Sequence, residues 1–232
     1  MSLLKSGRSR AVQVAIKGVT VRLFSRSVLL SAAILLGLAN LARADTVTLT
    51  YLHNSGVSQG GYGVGPRAVL INGVGASLVC DDFDHNVSRG QTFDANVSTF
   101  DSLANVRFIQ GTPAETLQLY DEAAYLYLQM ITHPSTEWGN IQFALWAVFD
   151  PAVESEPGFT STGTTPSSYW LALAQGQSFT PNEFSNVLVY TPVDVNGQNS
   201  PQEFMGTVPE PGTLLLLGTG LVGGLLRRRK KG

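Results

Sequence analysis

The sequence predicts an α+β domain, an antiparallel β-sandwich or barrel with an inserted helical pair, flanked by an N-terminal signal peptide and a short C-terminal membrane helix. Three observations carry that class. Apolar residues alternate with period two at the beginning and end of the body, the period changes to helical spacing in the middle, and charge is segregated along the chain. All 17 acidic residues lie between Asp45 and Glu210, a stretch whose only basic residues are Arg67, Arg89 and Arg107, so the body carries a net charge of −14. Such a surface repels phosphate backbones, which excludes a nucleic-acid binder. A single cysteine, Cys80, excludes an intrachain disulfide framework and any Cys-rich zinc site.

Residues 1–44 hold seven basic residues and no acid, then an apolar run from Val28 to Leu41 that closes on Leu41-Ala42-Arg43-Ala44. Small residues Ala42 and Ala44 occupy the −3 and −1 positions of a signal-peptidase site, so cleavage is expected after Ala44. The run is shorter than the ~20 residues of a spanning helix, which argues against an N-terminal anchor.

The mature domain is expected over 45–206. Val47, Leu49 and Tyr51 alternate on one face of a first strand, and a Gly-rich loop follows from Gly56 to Gly65. Arg67–Ile71 and Ala76–Cys80 flank Asn72-Gly73, a hairpin ending at Cys80. Thr92–Phe100 and Asn105–Ile109 are further strands. Helical spacing runs over Glu122–Ile131 and, beyond Pro134, over about Glu137–Phe149, the second helix capped by Ser135 or Thr136 and stopped before Pro151. A third, weaker helix covers Ser168–Ala174. Val187–Tyr190, an Asn196-Gly197 turn and Gln202–Met205 return the chain to β structure.

Residues 207–232 are read as a sorting signal. The motif Pro209-Glu210-Pro211 is followed by an uncharged membrane segment at 213–226 and a basic tail at 227–231. Cations after an apolar stretch stay on the cytoplasmic side. This order resembles the PEP-CTERM signal of exosortase substrates. The resemblance implies an export translocon and an exosortase-like processing enzyme as partners, a transient inner-membrane anchor, and delivery to the cell surface or the extracellular matrix. Gly218 to Gly223 matches G-x-G-x-x-G, but no strand–helix unit surrounds it, so small residues packing in lipid explain it better than a dinucleotide.

Within the body, Leu78-Val79-Cys80-Asp81 at a strand end and Ile141-Gln142-Phe143-Ala144-Leu145-Trp146 on a helix resemble the paired motifs of the Cys-Gln thioester domains of bacterial surface adhesins. The resemblance implies that the Cys80 thiol attacks the Gln142 side-chain carbonyl and expels ammonia, leaving an acyl donor for an incoming amine or hydroxyl. Trp146, one helical turn from Gln142, would shield that bond from water. The chemistry is single-use attachment rather than turnover, so the protein is read as an adhesive or biofilm-type surface protein and not an enzyme. Extracellular polysaccharide or an amine- or hydroxyl-bearing surface is the expected target. The family has residues that polarise the glutamine carbonyl, but no position here takes that role from the sequence.

The alternative is a non-covalent carbohydrate- or Ca²⁺-binding module, in which Cys80 is a small buried hydrophobe. Asp82, Asp84, Asn86 and Ser88 alternate like half of a Ca²⁺ loop, yet Val87 and Phe93 stand where an EF-hand needs Gly and Glu. His53, His85 and His133 lack metal-ligand spacing, and no G-x-S-x-G elbow marks a hydrolase. No metal or cofactor is expected.

Overall fold

The computed structural model describes residues 46–103, 105–194 and 200–207. The signal-cleavage residues Ala42 and Ala44, the sorting motif Pro209–Pro211 and the Asn196-Gly197 turn lie outside the described residues. Among the described residues no helix is long and apolar enough to cross a membrane.

Of the sandwich and the barrel, the chain forms the barrel. Strands β1 (Thr46–His53), β4 (Arg67–Ile71), β5 (Val74–Cys80), β8 (Phe204–Thr207), β7 (Val187–Pro192) and β6 (Thr92–Thr99) close in that order, β6 returning to β1, all antiparallel. Closure leaves the barrel itself with no unpaired edge strand. The β4–β5 turn is Asn72-Gly73, with φ of 50° and 82°, the positive pair that a two-residue hairpin of the right twist needs.

The Gly-rich segment is not a plain loop. It folds as a second hairpin, β2 (Val57–Gln59) and β3 (Tyr62–Val64), turning at Gly60-Gly61. Asn105–Ile109 is not a strand either. Its backbone is irregular, and Phe108 N–H donates instead to the Tyr120 hydroxyl, 3.2 Å away.

Among the described residues three α-helices pack on the barrel, the expected pair and the weaker third: α1 (Pro113–Thr132), α2 (Trp138–Phe149) and α3 (Ser167–Gln175). The first begins nine residues before its expected start at Glu122. Its N-terminus carries a complete capping box: the Thr112 hydroxyl accepts from Glu115 N–H, Glu115 accepts from Thr112 N–H, and Pro113 opens the helix. Neither Ser135 nor Thr136 caps α2; Glu137 occupies that position without a side-chain bond.

Two apolar cores result. The barrel interior takes alternate residues from every barrel strand, among them Leu49, Val69, Leu78, Cys80, Ala95, Tyr190 and Phe204, and none from a helix. The other core lies between the helices and the opposite faces of β5, β7 and β8, through Val79, Val187, Val189 and Met205. The second helix is the centre of this layer, with every residue from Ile141 to Phe149 buried. Ile141, Leu145 and Val148 are therefore one stripe of a helix that, Gln142 apart, is apolar on every side over this stretch.

Candidate functional site

Strand alternation along β5 turns Leu78 and Cys80 into the barrel and Val79 toward the helices, and the strand ends at Cys80. Here α2 crosses the strand end and brings in Gln142, 62 residues away in sequence and fully buried. Gln142 Nε2 donates to the Cys80 carbonyl at 2.7 Å, and Gly65 N–H donates to Gln142 Oε1 at 3.3 Å. A buried primary amide has to find such partners. These two fix its plane against the peptide that bears the thiol.

The sequence singles out no donor for the Gln142 carbonyl; in the structure the Gly65 N–H occupies that position. It points at the oxygen on which negative charge would grow if the Gln142 carbonyl were attacked. Gly65 has φ of +81°, and a Cβ there would lie 2.5 Å from Trp138 Cε3, so both the conformation and the indole above it demand glycine. The β2–β3 hairpin that delivers Gly65 is pinned to α2. Gln59 Nε2 donates to Asn140 Oδ1 at 3.0 Å and to the Gly158 carbonyl at 2.6 Å.

The Cys80 thiol donates to the Asp82 carbonyl at 3.0 Å. Burial pushes it well above the ordinary thiol range, the nearby Arg67 guanidinium pulls it partly back, and the Asp82 and Asp81 carboxyls push it up again. The resting group is a thiol, shielded from oxidants and from water.

Trp146, 2% exposed, stands one turn along α2 from Gln142 within an aromatic wall. Ring centroids lie 5.1 Å away in Phe143, 5.3 Å in Phe83 and 6.2 Å in Tyr62. Outside this wall is a cavity of about 170 Å³ whose lining includes Tyr51, Arg67 and Gln202.

The acidic turn after β5 begins inward, with Asp81 and Asp82 buried, and then faces solvent, with Asp84, Asn86 and Ser88 exposed. Asp82 is fully buried, its Oδ2 3.0 Å from Arg107 Nε and its Oδ1 3.0 Å from His85 Nδ1. Both oxygens are thus engaged, which removes the first position of the suggested Ca²⁺ loop. Among the described residues no cluster of three or more His, Cys, Asp or Glu is placed to hold a metal ion. Asp81 and Glu203 continue the β5–β8 ladder, with Asp81 N–H donating to the Glu203 carbonyl at 3.3 Å. Glu203 accepts from Tyr120 at 2.6 Å, from Arg107 N–H at 2.8 Å and from the Thr191 hydroxyl. Neither Asp81 oxygen has a partner. Burial, reinforced by the Glu203 and Asp82 carboxyls, holds Asp81 well above the usual carboxylate range, and burial raises Glu203 as well.

The comparisons with known proteins bear on the C-terminal end of the chain rather than on this site. No curated protein and no solved structure matches. Residues 207–230 match the family described as the PEP-CTERM protein-sorting motif, so the chain carries the C-terminal signal of an exported protein sorted by an exosortase-type system.

Proposed function

We propose that the exported domain is a single-use covalent attachment module in which Cys80 and Gln142 condense to an internal thioester. The thiol sulfur bonds to the Gln142 carbonyl carbon, the carbon–nitrogen bond breaks, and the thiol proton leaves with the amide nitrogen as ammonia. Gly65 N–H stabilises the oxyanion, and Trp146 keeps water from the product. An incoming amine or hydroxyl then takes the acyl group and returns a proton to sulfur. Each molecule reacts once, so the protein is not an enzyme in the sense of turnover.

The observation that carries this reading is the Gln142 amide clamped between Gly65 N–H and the carbonyl of Cys80 itself, in a site with no solvent exposure. An ordinary buried glutamine would fit any pair of partners; this one is hydrogen-bonded to the backbone of the chain's single cysteine, whose thiol lies on the barrel side and donates to the Asp82 carbonyl. Transient membrane anchoring through the sorting signal, then release to the cell surface or matrix, would present the loaded site outside the cell.

The test is intact mass. The purified mature domain is expected to weigh about 17 Da less than its sequence, the mass of the ammonia lost. Methylamine should add to Gln142 and expose Cys80 to alkylation, and Cys80→Ala or Gln142→Ala should abolish both signals. A full-mass protein whose Cys80 alkylates without amine treatment would falsify the thioester and leave a non-covalent binding module.

A further inference from the structure

The feature that neither the fold nor the condensation explains is Arg67. It lies on β4 paired with Leu78, two residues from Cys80 along the neighbouring strand, and only 6% of its surface is exposed. Its Nη2 donates to the Gly63 carbonyl at 2.7 Å, but its Nε is buried with no partner. Among the described residues the ion pairs are those of Asp82 with His85 and Arg107, and none involves Arg67. A buried charge without a counter-ion is costly, typically several kcal/mol. In a body with 17 acids to choose from, the missing carboxylate points to one supplied from outside.

The cavity beside Arg67 has the chemistry to take such a ligand. Its lining combines the rings of Tyr51, Tyr62, Phe83 and Trp146 with the side-chain amides of Asn54, Asn86 and Gln202. Guanidinium matches a carboxylate as a two-pronged donor, planar amides match neighbouring hydroxyls as donor–acceptor pairs, and ring faces take the C–H face of a sugar. At about 170 Å³ the space is below the ~300–1,000 Å³ of a drug-sized site and above the ~30 Å³ of one water, the scale of a single sugar residue.

We infer that this cavity is the subsite for a uronic-acid residue of an acidic saccharide, with Arg67 holding the carboxylate and a sugar hydroxyl presented to the acyl group. The acceptor role rests on the thioester reading; the binding role does not. In the transfer the hydroxyl oxygen bonds to the former Gln142 carbonyl carbon, the carbon–sulfur bond breaks, and the hydroxyl proton goes to Cys80 Sγ, giving an ester.

The experiment separates the two. Glucuronate, glucose and acetate are titrated calorimetrically into the Cys80→Ala mature domain, which cannot form a thioester. Glucuronate is expected to bind at least tenfold more tightly than glucose or acetate; parity with either overturns the subsite. Arg67→Met should remove that preference. Because this variant could unfold, Asn54→Asp provides a second arm. Asn54 Nδ2 and Arg67 Nη1 lie 2.9 and 3.0 Å from the point where a Gly63 Cβ would sit, so an aspartate there supplies an internal counter-ion. It should raise stability and weaken glucuronate binding together; unchanged binding in a folded Asn54→Asp protein overturns the assignment of Arg67. In wild type, glucuronate should consume the 17-Da-deficient species and add its own mass to the chain. A full-mass wild type whose Cys80→Ala form still prefers glucuronate sinks the transfer and keeps the subsite, whereas a mass-deficient wild type indifferent to glucuronate does the reverse.

Discussion

Two buried arginines in this domain are treated in opposite ways. Arg107 has a counter-ion and acceptors: Asp82 Oδ2 lies 3.0 Å from its Nε, an ion pair without hydrogen-bond geometry, and its Nη2 donates to Ser200 Oγ at 2.8 Å and the Pro201 carbonyl at 2.7 Å. Arg67 has the Gly63 carbonyl and a cavity. The first arrangement ties the acidic turn after β5 to the segments before α1 and before β8. The second keeps a charge available. In a domain with so few cations, this contrast is the ground for assigning Arg107 to architecture and Arg67 to the proposed subsite.

Substitution should break the comparison most sharply. Arg107→Met leaves Asp82 buried with His85 and the Glu203 N–H beside it but no arginine, and losing one partner of a buried pair costs about 3–5 kcal/mol. Arg67→Met strands no carboxylate. It removes one hydrogen bond and the burden of an unpaired charge, so its stability should stay within about 1 kcal/mol of wild type. Urea unfolding of the two variants at equal m-values measures the difference. Equal losses would mean that Arg67 has a counter-ion in the folded protein and that the contrast is false.

A second pair of positions tests the clamp on Gln142. Gly65→Ala forces a side chain into the left-handed region and against Trp138, which costs about 1–3 kcal/mol and displaces the N–H from Gln142 Oε1. Gly75 on β5 has open space around it and needs no special conformation, so Gly75→Ala should stay within about 0.5 kcal/mol. The fraction of ammonia-deficient protein, followed by mass after refolding, should fall for Gly65→Ala alone. Full thioester formation in a folded Gly65→Ala protein would remove the oxyanion role from this N–H.

The legible part of the molecule and the illegible part divide along the same physical line. Strands with one wet face, such as β1, and the Asn72-Gly73 turn declare themselves through alternation and turn chemistry, and so do the strand that ends at Cys80 and the helix that carries Gln142. The sandwich–barrel choice depends on the β6–β1 pairing, a long-range contact with no local signature. The long start of α1 was present as Thr112-Pro113-Ala114-Glu115 but masked by weak apolar periodicity. Gly65 sat in a glycine run that reads as loop, and its role exists only once Trp138 and Gln142 meet it. Arg67 looked like the first residue of a hairpin. Nothing in a sequence tells whether a buried cation will find a carboxylate.

The smallest effect concerns two adjacent aspartates that repeat the arginine contrast with the sign reversed. Asp82 faces Arg107, whereas Asp81 has no partner for either oxygen. Burial raises the folded-state pKa of Asp81, and that of Glu203 opposite it, above the unfolded values. The folded state therefore holds more protons than the unfolded state as pH rises above about 4, where unfolded carboxyls ionise. By linkage this part of the stability is complete below that pH and is lost progressively on going toward neutrality. Asp121, half-buried and raised to about 6 by burial and by Glu183, acts in the same direction, so Asp81 has to be read as a difference. Asp81→Asn removes its ionisation while keeping its shape. The variant and wild type should melt together near pH 4, and the variant should melt at the higher temperature at pH 7, with the gap closing in step with acidification. A variant that melts lower at pH 7 would mean that Asp81 is ionised and paired in the folded domain, and the absence of a cation beside it would no longer distinguish it from Asp82.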